Sequence, residues 1–249
     1  IFGSYKSESI IIYRTTFSNN FALDHGGAVS ISHKETVSIQ QTKFVFNKAL
    51  RRIRNSNGGA IYLRQNNVCS VVKSSFIQNV AKDQGGGIYC GIKTMSIINC
   101  LFHDNTAVHR GGGVCIYGNP SYKLDSTILY KTIFVKNLAL SGGGVFVSHT
   151  QFVLMQETQF LFNGIPYNWV QVQKQLGHSV KISSKGGATQ FRHIHKFSLV
   201  ESSFLENEAE HFGGGIDCIS IKALSIKNCS FSNNICRYQG GAAHIERSG

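Results

Sequence analysis

The apolar and polar positions of this chain repeat in register from one end to the other. Phe-x-x-Asn occurs at Phe17/Asn20, Phe44/Asn47, Phe76/Asn79, Phe102/Asn105, Phe134/Asn137, Phe160/Asn163, Phe204/Asn207 and Phe231/Asn234. The steps between successive phenylalanines are 27, 32, 26, 32, 26, 44 and 27 residues. A Gly-Gly-(Ala/Gly) motif follows each one, ending at Ala28, Ala60, Gly87, Gly113, Gly144, Ala188, Gly215 and Ala242. After each glycine pair, apolar residues alternate, as in Val29/Ile31, Ile61/Leu63, Val114/Ile116 and Val145/Val147. Period two over four or five residues predicts a short strand with one buried face. Helices of about ten residues or more do not fit between these markers.

Stacking the copies on Phe brings out further columns. Two residues earlier stands Thr, Ser or Cys: Thr15, Thr42, Ser74, Cys100, Thr132, Thr158, Ser202 and Cys229. Five residues earlier stands an aliphatic residue or Met, from Ile12 to Ile226. A spacing of three between these columns breaks strict alternation, so a bend or bulge is expected between them. Units of this length hold two or three short strands, none of which buries its apolar edge alone. Stacked units do, which is the logic of a solenoid. With strands about 4.8 Å apart, eight coils make a rod on the order of 40 Å long. Gly suits positive φ and close packing at a corner. Asn tolerates left-handed backbone, and its amide can bond the turn and the Asn of the next coil. Phe stacked on Phe fills the core.

Gly-Gly-Ala-(Ile/Val) with Phe-x-x-Asn resembles the repeat of chlamydial polymorphic outer membrane proteins, within the right-handed parallel β-helix, pectin-lyase-like group. The resemblance implies an all-β, single-stranded right-handed parallel β-helix of about eight coils and a secreted or surface-displayed, often adhesive, passenger. The chain departs from the pattern where it reads Gly-Gly-Gly, as at Gly111 to Gly113, and where a terminal barrel segment would stand. One domain over 1–249 is expected, with 164–185 as a surface insertion loop. Because the sequence starts at Ile1 and stops at Gly249 just after a repeat motif, it reads as a fragment of a longer chain.

Composition narrows the function classes. Abundant Phe, Ile and Val argue against disorder, and Gly has no three-residue period as in collagen. No apolar run reaches the roughly 18 residues of a membrane helix. Lys and Arg number 25 against 13 Asp and Glu, a formal charge of +12. Such an excess favours encounters with polyanions: acidic glycans, anionic lipids or nucleic acid. No nucleic-acid-binding motif accompanies it, so nucleic acid is not the expected partner. Arg51, Arg52 and Arg54 form a basic loop with Lys48, and Lys174, Lys181, Lys185, His193, His195 and Lys196 continue the excess. The competing reading of this charge is simple solubility.

The residue between the two inward positions of each Gly-Gly strand forms a column: Ser30, Tyr62, Tyr89, Cys115, Phe146, Gln190, Asp217 and His244. Tyr62, Tyr89 and Phe146 would make an exposed aromatic stripe for a sugar face or a protein partner, or merely a strand-stabilising ladder. Tyr167 and Trp169 place binding-type aromatics in the insertion. Of the seven cysteines, Cys90, Cys100, Cys218, Cys229 and Cys236 fall at inward positions as small hydrophobes, and Cys69 and Cys115 read as more exposed. The odd count precludes full internal pairing, and no zinc spacing is present. Asp24 and Asp83 share a loop position with Arg51 between, which reads as a solvated edge. Glu206, Glu208 and Glu210 beside His211 have donors for a hard cation but unspecific spacing. No cofactor, metal or catalytic set is expected. Asn228-Cys229-Ser230 is the one Asn-x-Ser/Thr sequon without Pro. The leading expectation is a non-enzymatic extracellular or cell-surface scaffold that presents a β-helix face to an anionic glycan or a surface protein. The alternatives are a polysaccharide lyase or glycoside hydrolase on this fold, and a structural spacer.

Overall fold

The computed structural model describes residues 9–50, 56–121, 123–165 and 184–246, which contain strands and turns and no helix. Every strand pairing is parallel. The Phe strands, such as Ser75–Ile77 and Leu101–His103, form one eight-stranded sheet in chain order. Within it each Phe pairs directly with the Phe of the next coil, from Phe17↔Phe44 through Phe160↔Phe204 to Phe204↔Phe231. The strands before Phe (Thr94–Ile98, for example) and those after the glycines (Val114–Tyr117) stack likewise. Two uninterrupted strands, Thr189–Val200 and Ile216–Lys227, join these two stacks into one 14-stranded sheet that curls round the core. These 12-residue strands depart from the uniformly short strands the repeat predicts. The chain is a parallel β-helix.

The bend expected before Phe is a single residue in left-handed backbone. It stands three positions ahead of Phe, at Arg14, Gln41, Lys73, Asn99, Lys131, Glu157, Glu201 and Asn228, with φ between 47° and 52°. The Thr/Ser/Cys column follows from it. Across that bend the side chain donates to the carbonyl two residues back: Thr42 Oγ1 to Gln40 O (2.9 Å), Ser74 Oγ to Val72 O (2.9 Å), Ser202 Oγ to Val200 O (2.9 Å) and Cys100 Sγ to Ile98 O (3.3 Å). Some of these groups also accept a backbone N–H from the preceding coil, as Ser74 Oγ does from Thr42 N at 3.1 Å.

A second bend follows Phe, but it is not at the Asn. Left-handed backbone falls one residue earlier, at Asn19, Phe46, Gln78, Asp104, Lys136, Phe162, Glu206 and Asn233. This corrects the left-handed role expected of the column Asn20, Asn47, Asn79, Asn105, Asn137, Asn163, Asn207 and Asn234, none of which has positive φ. The bend turns the next side chain inward, and there the Asn residues form a buried amide ladder. In Asn105, Oδ1 accepts from Asn79 N (3.0 Å) and Asn79 Nδ2 (2.9 Å), while Nδ2 donates to Phe76 O and to Asn137 Oδ1, both at 2.9 Å. Identical amides one coil apart bond head to tail, so a single residue type satisfies the whole corner.

The ladder changes character towards its last rungs. Asn207 is still fully buried and keeps the full pattern. Its Oδ1 accepts from Asn163 N (2.9 Å) and Asn163 Nδ2 (3.1 Å), and its Nδ2 donates to Phe160 O (3.0 Å) and Asn234 Oδ1 (2.9 Å). Asn234 departs from the buried column, being half-buried because it follows the outermost Phe strand. It bonds backward alone in the ladder, accepting from Asn207 N (3.1 Å) and Nδ2 and donating to Phe204 O (2.9 Å). At the third corner Gly111 has φ +59°, and a Cβ on Gly112 would lie 2.5 Å from the backbone oxygens of Gly143 and Leu138. The glycine pair thus meets two demands, left-handed backbone and coil-to-coil contact.

Inside, the six phenylalanines from Phe44 to Phe204 are buried, and neighbouring rings lie 4.6 to 4.9 Å apart with interplanar angles of 3° to 10°. Phe17 and Phe231, in the outermost Phe strands, are half-buried. Cys69 and Cys115 are fully buried, contrary to the exposure expected of them. Cys69 faces inward on Val68–Val72, and Cys115 lies under the turn chain described below. Cys229 and Cys236, expected inside, are half-buried because their coil belongs to the outermost Phe strand.

Candidate functional site

The Gly-Gly strand column stacks in the expected order, with Ser30↔Tyr62↔Tyr89↔Cys115↔Phe146↔Gln190↔Asp217↔His244 in direct register. It is not the exposed stripe the alternation predicts. Tyr62 is 9% exposed, Cys115, Gln190 and Asp217 are 0%, Phe146 is 1%, and Tyr89 is half-covered. Over Tyr62, Cys115 and Phe146, the chain approaching a glycine pair folds back over this face. His25 stacks on Tyr62 with ring centroids 4.4 Å apart, Arg110 lies 5.1 Å over the Phe146 ring, and Gln84 Oε1 accepts from Cys115 Sγ at 3.4 Å. Alternation shows which side of a strand a residue takes, not whether the loop before it covers that side. Burial raises the Tyr89 hydroxyl and the Cys115 thiol well above their ordinary values.

The acidic groups on this side are internal ties. Asp217 accepts from Gln190 Nε2 at 2.6 Å and meets His244 Nδ1 at 2.7 Å. Asp83, expected on a solvated edge, is 5% exposed and bonds His109 Nδ1 at 2.8 Å. A buried carboxylate needs such partners. Arg51, Arg52 and Arg54, and Tyr167 and Trp169 of the insertion, lie outside the described residues, as do Lys174 and Lys181.

The structure assembles a different site, which the column analysis missed. A groove of about 730 Å³ is lined by Pro120, Lys123, His149, Thr150, Gln151, His193, Ile194, His195, Ser220, Ile221 and Lys222. It crosses successive coils at the corner between the glycine strands and the strands before Phe. Register pairs Arg192 with Ile219 and Ile194 with Ile221, so His193 lies level with Ser220 and His195 level with Lys222. Leu124 pairs with Thr150, which sets Lys123 level with His149. Alternation does the rest: Ile194 is buried while His193 and His195 on either side are exposed. Backbone at His149, His193 and Ser220 is left-handed, with φ of 54°, 54° and 58°, which turns the corner.

The groove's electrostatics are one-sided. Among the described residues, two lysines and three histidines line it and no Asp or Glu does. The His149 and His193 rings lie 4.6 Å apart at 35°. Partial burial holds the His149 imidazole below its ordinary pKa, reinforced by the neighbouring His193 and Lys123 and opposed by the Gly118 carbonyl. His149 Nδ1 is buried and makes no hydrogen bond. The signal was present in the sequence. Counting back 11 residues from each Phe after the first gives His33, Gln65, Gly91, Lys123, His149, His193 and Ser220, and counting back nine ends in Gln151, His195 and Lys222. A scan of columns nearest the motif does not reach that far.

A second groove, about 510 Å³, carries the two carboxylates Glu206 and Glu208 with Phe162, Asn163, Gly164, Asn233 and Ile235. Glu210 is instead 3.7 Å from His211 Nδ1. Among the described residues no group of three His, Cys, Asp or Glu side chains is arranged to hold a metal ion. The sequon residue Asn228 is exposed at the left-handed corner before Phe231.

Comparison with known proteins places the repeat. Residues 14–32 and 73–91 match the Chlamydia polymorphic membrane protein (Chlamydia_PMP) repeat. Each match runs through a left-handed corner, a Phe strand and a glycine pair, so the chain carries repeats of this type. A curated relative, the metabotropic glutamate receptor-like protein R of Dictyostelium discoideum, is 25% identical over 198 residues. That alignment covers 79% of this chain and 11% of the relative, so the chain spans about a tenth of that protein's length. No solved structure matches.

Proposed function

We propose that this β-helix is a non-enzymatic binding module of a surface-displayed or extracellular protein, and that it holds an anionic glycan in the groove between Lys123 and Lys222. The observation that carries the reading is the groove itself: among the described residues, five cationic or protonatable side chains line it and no carboxylate does. Parallel stacking spaces equivalent side chains by about 4.8 Å along the helix axis. A chain of linked acidic sugars laid across the strands therefore meets a cation-bearing coil at each step. The membrane-protein repeats and the receptor-like relative support display at a surface. An extended face with few acidic groups suits salt-sensitive capture rather than acid–base chemistry, which needs a positioned pair of carboxyls.

The test is direct binding of heparin and of polygalacturonate, with neutral dextran as control, at low and high salt. Heparin is expected to bind at low salt, to weaken as salt rises, and to lose most of its affinity in Lys123→Ala/Lys222→Ala. Equal binding of dextran, or an unchanged double variant, would refute the reading. The hydrolase or lyase alternative rests on Glu206 and Glu208, which share one groove. Cleavage of an acidic polysaccharide that disappears in Glu206→Gln and in Glu208→Gln would establish it instead.

A further inference from the structure

The groove's histidines suggest a control on that binding, and the argument rests on the glycan reading above. We infer that the groove is acid-gated: it holds a polyanion tightly when His149 and His193 are protonated and weakly when they are neutral.

The geometry behind this is the close imidazole pair, with ring centroids 4.6 Å apart and planes tilted by 35° at the groove wall. Two imidazolium ions at that distance repel, so in an empty groove the neighbouring His193 opposes protonation of His149. The charged groups facing the pair make this worse. Lys123 lies level with His149, His195 follows His193 on the same strand and Lys222 is on the next coil, while Arg192 and Lys196, also on the His193 strand, are not part of the groove lining. Of the acids near these rungs, Asp125, two residues beyond Lys123, is exposed and Asp217 interacts with Arg192; neither is part of the groove lining. An anionic group in the groove reverses the balance. It supplies the missing counter-charge beside His149 and His193. Ligand binding and proton uptake are therefore linked, and each strengthens the other. Each imidazole whose pKa rises by one unit on binding tightens the complex about tenfold as pH falls through its range. Since imidazole is largely neutral near about pH 7.5, the lysines alone then hold the ligand.

Heparin is the right probe, because its sulfates keep their charge across the range where imidazole titrates, so any pH dependence belongs to the protein. The experiment measures heparin affinity at about pH 5.5 and pH 7.5 for the wild type and for His149→Gln/His193→Gln. Glutamine suits the left-handed backbone there, since Gln65 takes φ of 56° at the same corner. The wild type is expected to bind at least about tenfold tighter at the lower pH. The double variant should lose most of the increase between about pH 7.5 and about pH 5.5, whatever its affinity at the higher pH. Wild-type affinity independent of pH, or a double variant with the full increase, overturns the gating while leaving the glycan reading intact. Heparin that binds at neither pH removes both. A second measurement does not depend on the variant: imidazole proton NMR titration of the wild type should show the His149 pKa rising when heparin is added. An unmoved titration overturns the gate.

Discussion

Replacing Asn105 by Ala isolates what the buried amide ladder contributes. The side chain is fully buried and makes four hydrogen bonds, accepting two from Asn79 and donating to Phe76 O and Asn137 Oδ1. Truncation leaves Asn79 N–H and Phe76 C=O without these partners in a site shut off from solvent. Asn79 Nδ2 keeps its bond to Phe44 O, and Asn137 Oδ1 keeps its bond from Asn105 N–H. Asn79 N–H is the group left orphaned, at about 1 to 3 kcal/mol, while Phe76 C=O, paired in the sheet through the Ile77↔His103 register, loses only one of two bonds, so a loss of about 2 to 3 kcal/mol is expected. Asn20 is the internal control. It is exposed and only donates to Asn47 Oδ1, so water replaces what Asn20→Ala removes, and a loss below about 1 kcal/mol is expected. Urea unfolding followed by far-ultraviolet circular dichroism reads both variants, compared by midpoint at constant slope. If Asn105→Ala loses no more than Asn20→Ala, the ladder is an ornament of the turn and the reasoning fails. Asn105→Asp extends the test. It keeps the acceptor but sets a carboxylate oxygen against Phe76 O and Asn137 Oδ1, and it should destabilise more than Ala does.

Phe102→Ala removes a fully buried ring stacked 4.6 Å from Phe76 and 4.8 Å from Phe134, and should cost about 3 to 5 kcal/mol in the same unfolding assay. Gly112→Ala drives a Cβ to 2.5 Å from neighbouring backbone oxygens and should lower the melting temperature sharply or prevent folding, whereas Gly91→Ala meets only Tyr117 O at 3.6 Å and should be tolerated. Thiol labelling of the native protein should reach Cys229 and Cys236 and spare the other five, since burial pushes Cys69 up to about 12, Cys100 up to about 11 and raises Cys90, Cys115 and Cys218 as well. All seven should react after denaturation. Without ligand, acid should weaken the fold through His149. Its folded pKa is depressed, so the unfolded chain takes up the proton first; stability is full above the ordinary imidazole value of about 6.5 and falls as pH drops below it. His149→Gln should shrink that fall in melting temperature between about pH 7.5 and pH 5.

The repeat by itself determined the parallel stack, the Phe column, the Asn column and the order of the residues on the Gly-Gly strands. A period shared by every copy leaves one way to bury all the apolar edges, and direct register then follows. The same columns could not show what covers them. Tyr62, Cys115 and Phe146 took the predicted side of their strands and still ended inside, because the chain ahead of a glycine pair folds over them. Left-handed residues before Phe and before Asn were also hidden, since those positions hold Arg, Gln, Lys, Glu, Asp, Phe and Asn alike and carry no residue-type signature. The basic groove needed coordinates for the same kind of reason. Lys123, His149, His193 and Lys222 are 26, 44 and 29 residues apart, an uneven spacing that one long insertion and the bends between strands convert into neighbouring rungs. Periodicity records what every coil must do to stack; a site built by a few coils differing from the rest appears only once their backbones are laid side by side.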